Sequence, residues 1–486
     1  MSTYGNSIHI QHPGCHFIDG RWYAAQGGQT APVIDPSTEK AQAGFVLGGI
    51  EDAEIAIDAG RRAFDRGGWP DASPQERARL LKALADALEA RRAELEEAWT
   101  LQVGALATMR GRAVTNGLAH FRRAAEQASC FGRERSVSSS LGEAMLRFEP
   151  VGVVSAIAAW NGTLLQLASK VAPALAAGCT IIMKPAPSTP MEAVIIAECA
   201  EAIGLPPGVL NMVLLTDEAA ERLVTDPRVD KVAFTGSTAV GRRIARICAD
   251  RVARYSLELG GKSAAIVLND ADVGAVGKVM GRTITALSGQ LCSMLSRVIV
   301  SSDRHDALVE AIAAEMATVK IGSAHDPRSQ MGPLALARQR TVVENFVAAG
   351  KASGARLAYG GCRPEALELG YFFEPTLFAD VDADSPIAQQ EIFGPVLSLI
   401  PARDEEHAIE LANRSVYGLH GAVFTGDKER ARAVARRVRT GTFAQNGMKL
   451  DFALPFGGFK QSGIGREGGA HALEAYVESK TILLEN

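Results

Sequence analysis

Apolar positions in the first 150 residues recur at helical spacing. The clearest case is "DASPQERARLLKALADALEARRAELEEAW". Ser73 suits an N-cap, Pro74 the first helical position, and Glu76 can close a capping box. Leu80, Leu81, Leu84, Leu88 and Leu95 then mark one buried face, and Gly104 is a natural stop, so the pattern predicts one long helix.

From residue 151 the pattern changes to short apolar runs alternating with helices. "VGVVSAIAA", "CTIIMK", "GVLNMVLL" and "KVAFTG" read as buried strands. Residues 163–177 closed by Gly178, the segment Pro190 to Gly204, and a stretch from about Thr238 read as helices. Strands alternating with helices of this length predict parallel βαβ units with right-handed crossovers. A second alternating region carries "AAIVL", "RVIVS", "PVLSLIP" and "GAVFTG", so two α/β domains are expected, joined near Glu258 to Lys262. The terminal "TILLE" has no evident hairpin partner and needs a sheet edge elsewhere, for instance on another subunit.

Composition adds exclusions. The 486 residues are 47% hydrophobic and 22% charged with net charge −4, which supplies no electrostatic reason for a nucleic-acid or membrane-surface partner. The basic clusters "RRAFDR" and "ARRVR" fall at helical spacing and read as solvated helix faces. No run approaches the roughly 20 apolar residues of a membrane span, and the N-terminus lacks the plan of a signal peptide. Seven scattered cysteines without a CxxC, and nine histidines without a ligand pattern, predict neither disulfide framework nor metal site; a reducing cytoplasm is the expected location.

A dinucleotide site has two sequence candidates. The literal G-x-G-x-x-G, "GIGREG" at Gly463–Gly468, follows a glycine-rich loop rather than a strand and is read as a decoy. "KVAFTGSTAVG" fits better: a strand ends at Thr235, and the first free N–H groups of the next helix, at Gly236 and Ser237, suit a pyrophosphate. The similar "GAVFTGDKERA" carries Asp427, which can cap its own helix and would repel an anion. Lys184, at the carboxyl end of a parallel strand, lies where open α/β sheets bind ligands.

The stretch "LSGQLCSML" holds Cys292. Taken together, "WN" at 160–161, "KP" at 184–185, "FTGS" at 234–237, "LELGGK" at 257–262, "GQLC" at 289–292, "EIFGPV" at 391–396 and "PFGGFKQSGIGRE" at 455–467 give a chain that resembles the aldehyde dehydrogenase superfamily, from "FIDGRW" to "YVESKT". The order and spacing carry the likeness, including the step of 34 residues from Glu258 to Cys292.

The resemblance implies a Rossmann-like parallel-sheet cofactor domain (1–127 and 151–258), an α/β catalytic domain (259–445) and a small β oligomerisation arm (128–150 and 470–486), with a homodimer or homotetramer as the assembly. It implies the non-acylating reaction, oxidation of an aldehyde to the acid, with Cys292 as nucleophile, Asn161 as oxyanion donor and Glu258 as base. For the cofactor it implies Ile157, Ala159, Trp160, Lys184, Pro187, Gly236, Ser237 and Leu259 along the groove, with Glu391, Phe393 and Gln339 toward the nicotinamide end. NAD is the expected cofactor and NADP is left open, because Pro187 replaces a carboxylate and Leu215 a glycine near the adenosine end.

Other departures lie nearer the substrate. "AWN" replaces "PWN", Gly162 and Ser169 are small, and Leu291, Ser293, Met294, Leu295, Met448, Leu450 and Phe452 surround the thiol. They predict a roomy apolar tunnel for an aromatic, terpenoid or medium-chain aldehyde. The rivals are a CoA-acylating dehydrogenase, for which Glu258 is unneeded, a thioesterase-like hydrolase, and a catalytically silent structural homologue, which would not need Cys292, Glu258 and Asn161 together.

Overall fold

The computed structural model describes residues 2–4 and 8–484. Two mixed sheets organise it. The first has eight strands in the order Gly463–Ile464, Arg254–Glu258, Lys231–Thr235, Val153–Ile157, Thr180–Lys184, Leu210–Met212, Cys15–Ile18 and Arg21–Ala24. The five from Arg254–Glu258 to Leu210–Met212 are parallel. The chain runs outward from Val153–Ile157 through two strands, then returns to build Lys231–Thr235 on the other side. That reversal leaves a crevice at the carboxyl ends of the two central strands.

Strand pleat explains how both faces are covered. Val154, Ala156, Ile181 and Met183 point into one apolar cluster with Leu80, Leu118, Leu167 and Val194. Val153, Ile157 and Ile182 point into another with Ala56, Leu223 and Ile244. These strands are buried on both sides, which is why they read as continuous apolar runs.

The second sheet has the order Arg356–Tyr359, Thr376–Ala379, Val396–Ala402, Leu295–Ser301, Ser263–Val267, His420–Phe424 and Thr442–Gln445, parallel except for its first pair. It too sorts its side chains by alternation, Ile266 and Ile299 to one cluster, Ala265 and Val298 to the other.

A three-stranded sheet forms from Glu134–Ser139, Gly142–Pro150 and Val477–Leu483. The C-terminal strand pairs antiparallel with Gly142–Pro150 from Val477 opposite Pro150 to Leu483 opposite Ala144. The edge sought for "TILLE" is therefore on its own chain; a partner more than 300 residues away in sequence cannot be seen as a hairpin.

The long N-terminal helix is also two. Pro74–Ala90 and Arg92–Val103 meet at Arg91, whose guanidinium turns to Glu94 and Glu198. Ser73 Oγ accepts from the Glu76 N–H at 3.1 Å, but the Glu76 carboxylate pairs with Arg79 instead of completing the box. Gly104 ends the second helix with φ +77°, the left-handed stop that glycine permits.

Candidate active site

Register places the site. Ile157 lies opposite Lys184 on one side and Phe234 on the other, Thr235 lies opposite Glu258, and Glu258 opposite Gly463. Four parallel strands thus end at one level, and the loops leaving them carry Ala159, Trp160 and Asn161, then Pro187, then Gly236 and Ser237, then Leu259.

Cys292 reaches this line on a strained loop. Leu287, Ser288 and Gly289 are consecutive left-handed residues with φ of 47°, 53° and 75°. Such conformations cost a non-glycine residue about 1–3 kcal/mol each and persist only where surroundings enforce them. Here Ser288 Oγ donates to Gly332 O at 2.7 Å. The fully buried Gln290 donates from Nε2 to Leu287 O at 2.9 Å and accepts from the Ala335 N–H at 2.9 Å. A Cβ on Gly289 would collide with the Gly394 carbonyl, and one on Gly261 with the Cys292 carbonyl, so the thiol loop touches both the Glu391 loop and the segment after Glu258.

Asn161 is locked to the same loop. Its Nδ2 donates to Gln290 O at 3.0 Å and its Oδ1 accepts from Gln166 Nε2 at 2.8 Å. A side-chain amide has two N–H donors, so one remains for an oxyanion. Thr163 and Gln102 both donate to the buried Glu192, which braces the start of the following helix.

The charges of the site are set by burial. The Cys292 thiol is pushed up to about 12, first by desolvation and then by the neighbouring Glu391 and Glu258. The Glu258 carboxyl lies well above the usual carboxylate range because it is buried and faces Glu467, with Lys170 and Arg466 opposing. Among the described residues its Oε2 has no hydrogen-bond partner.

Two residues here were missed in the sequence. Lys170, fully buried, donates to Glu467 Oε1 and to Thr235 Oγ1, both at 2.6 Å, while Ser169 Oγ donates to Glu467 Oε2 at 2.7 Å. A lysine inside the apolar helix Thr163–Ala177 was the available signal, since a buried ammonium demands a partner. Glu467 was hidden inside "GIGREG". That motif's first residues pair as a short antiparallel strand with Leu257 and Glu258, so it lies beside Glu258 rather than opening a helix after a strand.

The groove residues divide by what they are already doing. The Gly236 N–H, expected to be free, donates to Glu258 O at 3.1 Å, because the strand pairing runs on one residue beyond Thr235. Ser237 Oγ caps the helix Thr238–Asp250 through the Val240 N–H, which leaves the earlier first-turn donors for an anion. Lys184 is buried, which pushes its pKa down, and Asp217 opposes this. Leu259 is buried and donates its N–H to Ser462 O. Ala159 donates its N–H to Gln166 Oε1. Leu215 is buried in the core, and Pro187 sits half-buried in a turn.

At the other end, Glu391 accepts from the Gly261 N–H at 3.1 Å, and burial pushes it up to about 7. Phe393, at φ +55°, meets Trp160 edge to face with centroids 5.3 Å apart. Gln339 donates from Nε2 to the carbonyls of Ile392 and Phe393, so its amide N–H groups hold that loop. A carboxylate, an ammonium and first-turn N–H donors at a strand-order reversal are the donor set a dinucleotide requires. Among the described residues His305, Asp306 and Asp380 are also drawn together, but Arg356 pairs with both carboxylates.

Beside this groove is a cavity of about 450 Å³ whose wall includes Cys292, Glu258, Asn161 and Glu467. Gly162, Ser169, Leu291, Ser293, Met448, Leu450 and Phe452 line it as expected. Met294 and Leu295 instead face the catalytic-side core, because the strand Leu295–Ser301 begins there and turns them away. The helices Arg92–Val103 and Ala107–Cys130 supply an unforeseen wall, including Trp99, Asn116 and His120.

Residues 22–482 match the model of the aldehyde dehydrogenase family. The chain is 41% identical over 471 residues to 3-succinoylsemialdehyde-pyridine dehydrogenase from Pseudomonas sp., covering 96% of this chain and 98% of the relative. It is 39% identical to geranial dehydrogenase from Castellaniella defragrans, with the same coverages. Among solved structures, an aldehyde dehydrogenase from Mycobacterium tuberculosis complexed with NAD+ superposes with a TM-score of 0.95 at 39% identity, covering 98% of this chain and 99% of that one. A mutant of aldehyde dehydrogenase C from Pseudomonas syringae, complexed with NAD+ and octanal, gives 0.94 at 35% identity, covering 98% of each chain. On the family match and these relatives, with Cys292, Glu258 and Asn161 lining one cavity, this chain belongs to the aldehyde dehydrogenase family.

Proposed function

We propose that the protein oxidises an apolar aldehyde to its carboxylic acid by the non-acylating route, with NAD as hydride acceptor. The observation that carries this is a single cavity shared by Cys292, Asn161 and Glu258 at the carboxyl ends of the parallel strands. Ile157, Lys184, the first turn after Ser237, Leu259, Glu391 and Phe393 would hold the dinucleotide, with Gln339 positioning the Glu391–Phe393 loop. When bound, NAD accepts the hydride that leaves the tetrahedral carbon.

The chain's own groups account for the remainder. A thiol held near 12 is neutral, so attack requires its proton to be taken as sulfur meets the carbonyl. Glu258, whose raised pKa narrows the gap to both thiol and water, is the matched base. The free N–H of Asn161 and the Cys292 backbone N–H stabilise the oxyanion of the thiohemiacetal. Glu258 then activates water against the thioester, and Lys170 and Glu467 sit beside it to carry the proton onward.

Water as acyl acceptor is favoured over CoA because the buried Glu258 can activate water for hydrolysis, and a CoA thiol would not need it. Substrate class follows from the wall: Leu164, Leu291, Met448, Leu450, Phe452 and Phe456 give it an apolar surface around small residues Gly162 and Ser169. The relatives named for geranial and crystallised with octanal act on or hold aldehydes of this kind. Among the described residues no helix is long and apolar enough to cross a membrane, and we infer a cytoplasmic enzyme. The exposed Val137, Leu141 and Leu483 of the three-stranded sheet support a homo-oligomeric contact there.

The test is absorbance at 340 nm with an aldehyde panel against NAD and NADP, with identification of the product. Decanal and benzaldehyde should exceed acetaldehyde in kcat/KM and yield free acid without CoA. Acetaldehyde ahead by about tenfold, or product only with CoA, contradicts the reading.

A further inference from the structure

One polar side chain in the cavity wall has no part in the chemistry above. His120, on the helix Ala107–Cys130, is 6% exposed and lines the cavity among Val114, Leu164, Phe452 and Phe456. Among the described residues its Nε2 has no hydrogen-bond partner. The ring lies 6.4 Å from that of Phe452, centroid to centroid, and a Cβ on Gly468 would stand 3.6 Å from its Cε1. Burial pushes the imidazole down to about 4 against the opposing charge of Glu467, with Arg123 and Lys170 reinforcing the neutral form. A neutral imidazole offers one N–H donor and one lone pair.

Buried polar atoms are ordinarily paired, and this ring lines a predominantly apolar cavity. Glu467 is engaged by Lys170 and Ser169, and Arg123 donates to Phe452 O. The partner that His120 lacks is therefore one a substrate can bring.

We propose that His120 is a specificity-determining residue that recognises a hydrogen-bonding heteroatom (a ring nitrogen, ketone or hydroxyl oxygen) on the tail of an otherwise apolar aldehyde. This rests on the function proposed above and refines its substrate class. A site with a buried polar group disfavours the analogue that leaves it unpaired more strongly than an apolar wall disfavours a lost methylene.

The experiment compares kcat/KM within matched pairs: benzaldehyde against the three pyridinecarboxaldehydes, and alkanals against ω-hydroxyalkanals of increasing length. Wild type, His120→Phe and His120→Gln are measured in parallel, because intrinsic differences in aldehyde reactivity cancel when pair ratios are compared between variants. For at least one pair, His120→Phe should lower the polar-to-apolar ratio by about tenfold, through KM more than kcat, while His120→Gln keeps much of it. Unchanged ratios for every pair overturn the inference, including the case where both variants lose activity uniformly, which marks a structural role. If wild type oxidises the apolar members and only the ratios fail to respond, this inference alone falls; if it oxidises no aldehyde, the proposed function falls with it.

Discussion

Glu258 and Glu467 bring two carboxylates to one buried wall, and only one of them has a lysine bonded to it. Lys170 bonds to Glu467, while Glu258 is raised by burial and then by the neighbouring Glu467. A base whose pKa is raised is lost as pH falls through the raised value, so kcat should climb with pH above the usual carboxylate range. Removing the negative neighbour by Glu467→Gln should move that rising limb to lower pH, and Lys170→Met should move it higher; pH profiles of kcat check both, and shifts of opposite sign contradict the assignment. At this scale the thiol, amide and base were legible in the sequence because each sits in a motif. Lys170 and Glu467 were not, since their meaning lies in a pairing across 297 residues.

Elements decide how well those residues are aimed. The left-handed run Leu287–Ser288–Gly289 sets the direction of Cys292, and Gly289 fits only because nothing stands between its Cα and the Gly394 carbonyl. Gly289→Ala adds a Cβ at φ +75° and into that contact, forcing the thiol loop and the Glu391 loop apart. A displacement of about 1 Å can cost roughly 10² in rate. The variant should fold, with an unchanged far-UV circular dichroism spectrum, and lose about that factor in kcat; full activity would contradict the role given to the loop. The alternation of strands and helices was plain in the sequence, because strands buried on both faces leave unbroken apolar runs. The break at Arg91 and the local pairing of the C-terminal strand were not, as the first depends on the distant Glu198 and the second on Gly142–Pro150.

For the molecule as a whole, two mixed sheets meet so that a strand-order reversal in one opens beside the thiol loop of the other. The Glu258–Lys262 stretch and the Asn161 amide, which donates to the Gln290 carbonyl, join them. Sequence motifs named the parts of this junction, but the cavity wall given by Arg92–Val103 and Ala107–Cys130, with His120 on it, emerged only from packing. The claim on which the account turns is that Cys292 carries the acyl group and Glu258 removes it. Glu258→Gln, incubated with decanal and NAD long enough for solvent to take the thiol proton in place of the missing base and then quenched, should show by intact-mass and peptide analysis one decanoyl group on the peptide containing Cys292, released slowly. No adduct, an adduct on another cysteine, or undiminished turnover by Cys292→Ala would contradict it.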